Sequence, residues 1–274
     1  MSSLENALKI VALLSKERPV LRVGEVCREI NLPKSSVSRL LKTLADHGML
    51  ERESRDMGYV AGKRALILAD LYLANHTLLD LIDVSLDALI AEFQFAAYAA
   101  VLSGPDIVIL RVKHGTYPLR LVQDVGKRMP AHTTSIGRAL LARYSDDQVT
   151  ALLKQRDATP SEIRDVLQEM TEVRTTGVAP TTSTIIPGIS ALGVGVQDPT
   201  RDEMLGFSIS YPSSAADETV RAQMSHRIRQ EAHTIGSRLK DPYWARRTVE
   251  VSAAPSKTQT NKASARERKN LAGV

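Results

Sequence analysis

The chain has 274 residues, 43% of them hydrophobic and 24% charged, with a formal net charge of +5, long enough for two domains that each bury a core. Cys27 is the single cysteine, which excludes an internal disulfide, and no apolar run reaches the roughly 18 residues needed to span a bilayer. The charge is uneven: residues 1–64 hold 12 Lys and Arg against 8 Asp and Glu, residues 65–244 hold 17 against 21, and residues 245–274 hold 7 against 2. That polarity points to one part that faces nucleic acid and another that has no need of polyanions.

Ser2-Ser3-Leu4-Glu5 offers a capping box for a first helix, with Leu4, Leu8, Val11 and Leu14 as its expected core residues. A short second helix follows, with Val23, Val26, Cys27 and Ile30 as its apolar side, and Cys27 reads as a buried structural thiol rather than a redox sensor. Asn31-Leu32 supply a tight turn into a third helix, bounded by Pro33 in its first turn and Gly48 just past its end. In that helix Val37, Leu40, Leu41 and Leu44 recur at helical spacing and form one buried stripe. The other face carries Lys34, Ser35, Ser36, Ser38, Arg39, Lys42 and Thr43 without a carboxylate. Such a face lies against phosphates without repulsion while Arg39 and the hydroxyls reach base edges. Met49–Arg52 and Tyr59-Val60 then form a hairpin whose tip is Ser54–Gly58, with Arg52 and Arg55 toward the backbone of double-stranded DNA. Three helices and a hairpin in this order describe a winged helix-turn-helix.

Residues 65–93 are rich in Leu and Ile and break at Asn75-His76-Thr77, which predicts two helices in succession. The first is too apolar to stand alone in water, so a partner must cover it, and a second subunit is the economical one. Further on, Ala96–Ser103 and Ile107–Val112 read as a hairpin about Gly104-Pro105-Asp106. Ser135–Tyr144 and Ser161–Thr175 read as helices, the latter entered through a capping box at Thr159-Pro160-Ser161-Glu162. Ser190–Gln197 and Leu205–Tyr211 form the next strand pair, and Asp217–Leu239 a closing helix. From Arg246 the composition turns to Ser, Thr, Ala, Lys and Arg, as expected of a disordered tail, and Ala265–Lys269 adds at most a weak, sequence-independent attraction to DNA.

Two motifs behind the front domain carry a family resemblance. Gly126–Ala142 contains Pro130-Ala131-His132-Thr133-Thr134 leading into a helix, and Gly188–Asp198 is followed by Gly206–Pro212. Together with the front domain, these segments resemble the IclR family of bacterial transcription regulators over nearly all of residues 3–240. The resemblance implies an α+β protein: a winged helix-turn-helix over residues 1–64, a linker and dimerisation helix over 65–76, a GAF-like effector-binding domain over 77–244, and a basic tail over 245–274. It implies a homodimer or homotetramer on a pseudo-palindromic operator. It also implies a small-molecule effector, an organic acid or aromatic metabolite, held by Leu121, Met129, His132, Thr134, Ser135, Ile136, Ser208 and Ser210.

The residues support part of this independently. In Ser208-Ile209-Ser210 the period of two places both hydroxyls on one face, where they either point at one carboxylate or satisfy hydrogen bonds inside the domain. Ser135 and Ile136 stand near a helix start, which favours an anion. The chain departs from the family at Thr182, Ser183 and Thr184, where an acidic residue is common, and at Gly195, where a cysteine or other polar residue is common. These departures leave room for a larger or less polar effector.

His132 near serines suggests an activated nucleophile, yet no Gly-x-Ser-x-Gly turn and no orienting carboxylate is identifiable. His114 and His132 lie far apart with no ligand cluster between them. No catalytic residue, metal or cofactor is expected, and His132 is expected to fix its turn through its ring nitrogens. The start of the chain lacks a basic-then-apolar signal sequence, so a cytoplasmic protein without membrane contact is expected. The competing class is a metabolite-binding protein or enzyme whose front domain mediates protein contacts.

Overall fold

In the computed structural model, the described residues are 2–247 except 16, 54–56, 76, 119–122 and 183–185. The front domain contains α1 (Ser3–Ala12), α2 (Val23–Ile30), α3 (Lys34–Asp46), β1 (Leu50–Arg52) and β2 (Tyr59–Ala61). The two strands are antiparallel, with Leu50 opposite Ala61 and Arg52 opposite Tyr59, and Leu21 adds a bridge to Tyr59. Ile10, Leu21, Val26, Val37, Leu41, Leu50 and Tyr59 close the core. Asn31 ends α2 in the left-handed region at φ 50°. Gly48 takes φ +72° after α3, a conformation glycine adopts without steric cost.

The first helix turns a different side inward from the one expected. Ser2 does cap it, its hydroxyl accepting from the Glu5 N–H at 3.1 Å. Leu4 and Leu8, however, are 69% and 62% exposed, while Ile10 is buried with Leu13 and Leu14 beside it. The helix carries two apolar stripes, and its contacts with α2 and α3 bury the one that passes through Ile10.

The break at Asn75 separates α4 (Lys63–Ala74) from α5 (Thr77–Phe93). These helices differ sharply in burial: α4 has no buried residue, whereas α5 buries Leu78, Leu79, Ile82, Leu86 and Leu89. A six-stranded antiparallel sheet follows in the order β5-β4-β3-β8-β7-β6. Its strands are β3 (Ala96–Ser103), β4 (Asp106–Lys113), β5 (Arg128–Pro130), β6 (Ala179–Thr182), β7 (Ile189–Asp198) and β8 (Glu203–Pro212). Alternation along the strands divides the core in two. Ala97, Ala99, Val194, Phe207 and Ile209 pack toward α5, α9 (Glu218–Leu239) and α10 (Pro242–Ala245). Ala96, Tyr98 and Ala100 face α6 (Ser135–Leu141), α7 (Asp146–Lys154) and α8 (Pro160–Thr176).

The expected capping box at Thr159 and Glu162 is formed, and a second at Ser145 and Gln148 starts α7, an element the periodicity did not reveal. The tail also begins later than expected. Ala245 closes α10 and the Arg247 guanidinium lies 3.6 Å from the centre of the Tyr243 ring, so the folded part reaches Arg247. Residues 248–274, including Ala265–Lys269, lie outside the described residues.

The α10 segment is clasped onto the sheet. Arg143 Nη2 and Nη1 donate to the Asp241 carboxylate at 2.6 and 3.1 Å. Asp241 also accepts from the N–H groups of Gln197 and Tyr243, and Trp244 Nε1 donates to the Gly195 carbonyl at 2.8 Å. Among the described residues no single helix is long and apolar enough to cross a membrane.

Candidate nucleic-acid interface and ligand cavity

The third helix presents its expected polar face. Lys34, Ser35, Arg39, Lys42 and Thr43 are exposed, and Ser36 and Ser38 are partly buried. The face is free of carboxylates only as far as Thr43. Asp46, the last residue of α3, is also exposed and stands seven residues beyond Arg39, close to the same angular position. It lies about 10 Å further along the axis, toward the end that leaves a major groove when the N-terminal turns enter it. Arg52 is exposed on the wing, with Nε and Nη2 each 3.3 Å from the Tyr59 hydroxyl. Its guanidinium is therefore oriented by a neighbour on the opposite strand. Arg55 lies outside the described residues.

A cavity of about 80 Å³ opens on the α6 face of the sheet. Met129, Thr134, Ser135, Ile136, Ser208 and Ser210 border it as expected, together with Tyr98, Ile107, Ile109, Gln123, Thr133, Thr181, Ile186, Ile189 and Ala191. Leu121 is outside the described residues. Tyr98 and Thr181 were not anticipated because single inward residues on short alternating strands carry no signal until strand pairing is known. None of the described lining residues is charged. Burial pushes the Tyr98 phenol up to about 12, which keeps it protonated and able to donate. Ser208 is 3% exposed, and Tyr98 is its partner on the adjacent strand. Among the described residues the hydroxyls of Ser208 and Ser210 make no hydrogen bond to another protein group, which disfavours a purely internal role for them.

The roof of the cavity is set by a close approach. A Cβ at Gly193 would stand 2.4 Å from the Ser135 carbonyl carbon, so only glycine lets the start of α6 rest on β7. Gly195 lies deeper, beneath Ala139 and Leu140, and its carbonyl serves Trp244. The family departure at Gly195 therefore concerns packing, not the cavity wall.

His132 does not border the cavity, nor does its ring fix the turn. Thr133 Oγ1 donates to the Pro130 carbonyl at 2.9 Å. Thr134 Oγ1 donates to the Ala131 carbonyl at 3.2 Å and accepts from the Gly137 N–H at 3.0 Å. Arg138 Nε donates to the His132 carbonyl at 2.7 Å. These threonine and arginine bonds replace the imidazole in the role expected of it, and His132 Nδ1 is buried without a partner among the described residues. Burial lowers the His132 pKa, and the charges of Arg156 and Arg138 lower it further, against smaller opposing effects of Glu162 and Asp106.

A histidine held neutral in the fold binds fewer protons than in the unfolded chain below the ordinary pKa of about 6.5. Its contribution should therefore be intact above that pH and fall as pH drops toward the depressed value. Denaturant melts between neutral and mildly acid pH should show a steeper loss in the wild type than in His132→Asn, and parallel slopes would contradict this account.

Among the described residues no group of three or more His, Cys, Asp or Glu is placed to hold a metal ion.

Residues 3–54 match the IclR helix-turn-helix domain, and residues 70–237 match the bacterial transcriptional regulator IclR C-terminal domain. The chain is 26% identical over 223 residues to the transcriptional repressor IclR of Escherichia coli (strain K12), covering 78% of this chain and 81% of that one. It is 24% identical over 245 residues to the HTH-type transcriptional regulator KdgR of Dickeya chrysanthemi, covering 87% and 80%. Among solved structures, a putative IclR transcriptional regulator from Silicibacter sp. TM1040 superposes with a TM-score of 0.77 at 20% identity, covering 87% of this chain and 96% of that one. An IclR homolog from Microbacterium hydrocarbonoxydans complexed with 4-hydroxybenzoate gives 0.70 at 19% identity, covering 87% and 99%. With both domains matched in order on a winged helix-turn-helix and an α+β ligand domain, the chain belongs to the IclR family of bacterial transcriptional regulators.

Proposed function

We propose that this regulator is a cytoplasmic, non-enzymatic homodimer, or a pair of such dimers, that places α3 in the major groove of each half of a pseudo-palindromic operator and answers to a small organic acid or aromatic metabolite. The observation that carries the reading is the exposed run of cations and hydroxyls from Lys34 to Thr43, presented on a rigid helix. Lys34, Lys42, Arg52 and Arg55 would hold phosphates, with Arg39 and the hydroxyls of Ser35, Ser36, Ser38 and Thr43 toward base edges.

The dimer is supported by α4, where Leu66, Ile67, Leu68 and Leu71 are 73%, 57%, 52% and 53% exposed. A row of this kind is stable in water only when covered, and a two-fold partner covers it with the same row. Met129, Thr134, Ser135, Ile136, Ser208 and Ser210 would contact the effector, with Leu121 completing the site. The 4-hydroxybenzoate complex of the relative supports a small aromatic acid as the ligand.

Coupling has a physical route. Arg201 Nη1 donates to the Asn75 carbonyl at the end of α4 at 2.9 Å, and Leu73 packs on the core of the ligand domain. A shift in that domain is thereby passed to the helix that spaces the two front domains.

The test is selection of bound sequences from a random double-stranded DNA pool with wild type and Arg39→Ala. An inverted repeat should emerge from the wild type. Arg39→Ala should blur one position in each half-site and cost about 1–3 kcal/mol on the selected sequence. A uniform loss across all sequences would make Arg39 a phosphate contact, and no enrichment with or without pooled metabolites would favour a protein-contact role for the front domain.

A further inference from the structure

The polar groups of the cavity fall in two places. Ser208 and Ser210 stand on β8, with Tyr98 opposite Ser208 on β3. Gln123 borders the cavity from the segment that leads into β5, and this segment is held against β4 where the Gly126 N–H donates to the Ile109 carbonyl at 2.8 Å. In the sheet, β4 and β3 lie between that segment and β8, so the two polar places are about three strand spacings apart, roughly 14 Å. Ile107, Ile109, Met129 and Ile136 provide an apolar wall alongside them.

The Gln123 amide oxygen is buried and, among the described residues, has no hydrogen-bond donor. An acceptor in that condition has lost its water without recovering a bond, and a ligand that brings an O–H or N–H to it restores what was lost. A ligand without a donor leaves the acceptor unpaired and is selected against.

We infer that Gln123 is a specificity-determining residue, whose buried amide oxygen selects an effector with a hydrogen-bond donor at the end remote from Ser208 and Ser210. The inference rests on the cavity being the effector site. It defines a ligand class: an elongated molecule with a hydroxyl or amine at one end, a carboxylate or carbonyl at the other and an apolar body between. A short dicarboxylate has no proton to offer Gln123 at neutral pH and does not meet this description.

The test is calorimetric titration of the full-length protein with phenylpropanoate, its para-hydroxy derivative and the para-methoxy ether. The wild type should favour the para-hydroxy compound over the other two by about tenfold, the worth of one hydrogen bond to an otherwise unpaired acceptor. Gln123→Met, similar in length but without the amide, should bring the three within about twofold while still binding phenylpropanoate, which also shows that it is folded. Gln123→Glu keeps an acceptor and should retain the preference.

Equal affinities in the wild type, or a preference that survives in Gln123→Met, would overturn the role of Gln123 while leaving the cavity as the binding site. Loss of preference in Gln123→Glu alone would show that the amide donates, which overturns the stated polarity. If folded wild type binds none of the three, the effector-site reading for ligands of this class fails, and the inference falls with it.

Discussion

Asp241→Ala should lower the free energy of unfolding by about 3–5 kcal/mol, the cost of breaking a buried ion pair from one side. The Asp241 side chain is fully buried and that of Arg143 is 7% exposed, so removing the carboxylate strands a guanidinium that water cannot reach. It also takes the acceptor from the N–H groups of Gln197 and Tyr243. The loss should reach beyond the C-terminal end, because Arg143 follows α6, whose first turn borders the cavity. Ligand affinity should fall together with stability.

Pairing Asp241→Leu with Arg143→Met should recover much of the loss, since apolar residues of similar volume replace buried pairs at little cost and sometimes at a gain. Urea melts of the two single variants and the double variant measure this directly. A loss below about 1 kcal/mol in Asp241→Ala would show the pair to be as weak as a solvated one.

Operator affinity should fall about ten-thousandfold as monovalent salt rises from about 50 to 200 mM. Lys34, Lys42, Arg52 and Arg55 are the expected phosphate contacts, which gives about eight phosphates for two protomers and a slope near −7 on logarithmic axes. Lys42→Ala should make this slope shallower by about two, because each dimer loses two contacts, and should weaken all sequences alike. Fluorescence anisotropy with a labelled operator across a salt series checks both statements. A slope near zero would remove phosphate contact from the front domain and return the protein-contact reading. The exposed Asp46 sharpens the expectation, since Asp46→Asn should raise affinity where its end of α3 approaches a phosphate and leave it unchanged where the helix lifts away.

The front domain was legible because its information is local. Helix ends are written in Ser2, Asn31, Pro33 and Gly48, and the buried stripe of α3 in the spacing of Val37 and Leu41. Hydroxyl and cation placement on α3 followed from the same periodicity. The burial face of α1 was not legible: two apolar stripes run along it, and only contact with α2 and α3 places Ile10 inward and leaves Leu4 and Leu8 in water.

The cavity was partly legible for a related reason. Alternation in Ser208-Ile209-Ser210 sends both hydroxyls to one face, as the lining shows. Gln123, Tyr98 and Thr181 come from three other stretches of chain, and nothing in those stretches marks them. They border one cavity because strand pairing over long sequence separations brings their stretches into one sheet. His132 was misplaced because a histidine in a turn has several partners to choose from, and the two threonines that follow it satisfy the backbone carbonyls.

The sequence by itself determined the family, the order of a helix-turn-helix and an α+β part, the polar face of α3 and the serine pair, since caps, periodicity and glycine positions act within a few residues of one another. The tertiary structure alone decided the face of α1, the cavity wall at Gln123 and the buried Arg143–Asp241 clasp. These depend on which distant surfaces meet and which polar groups lose their water when they do.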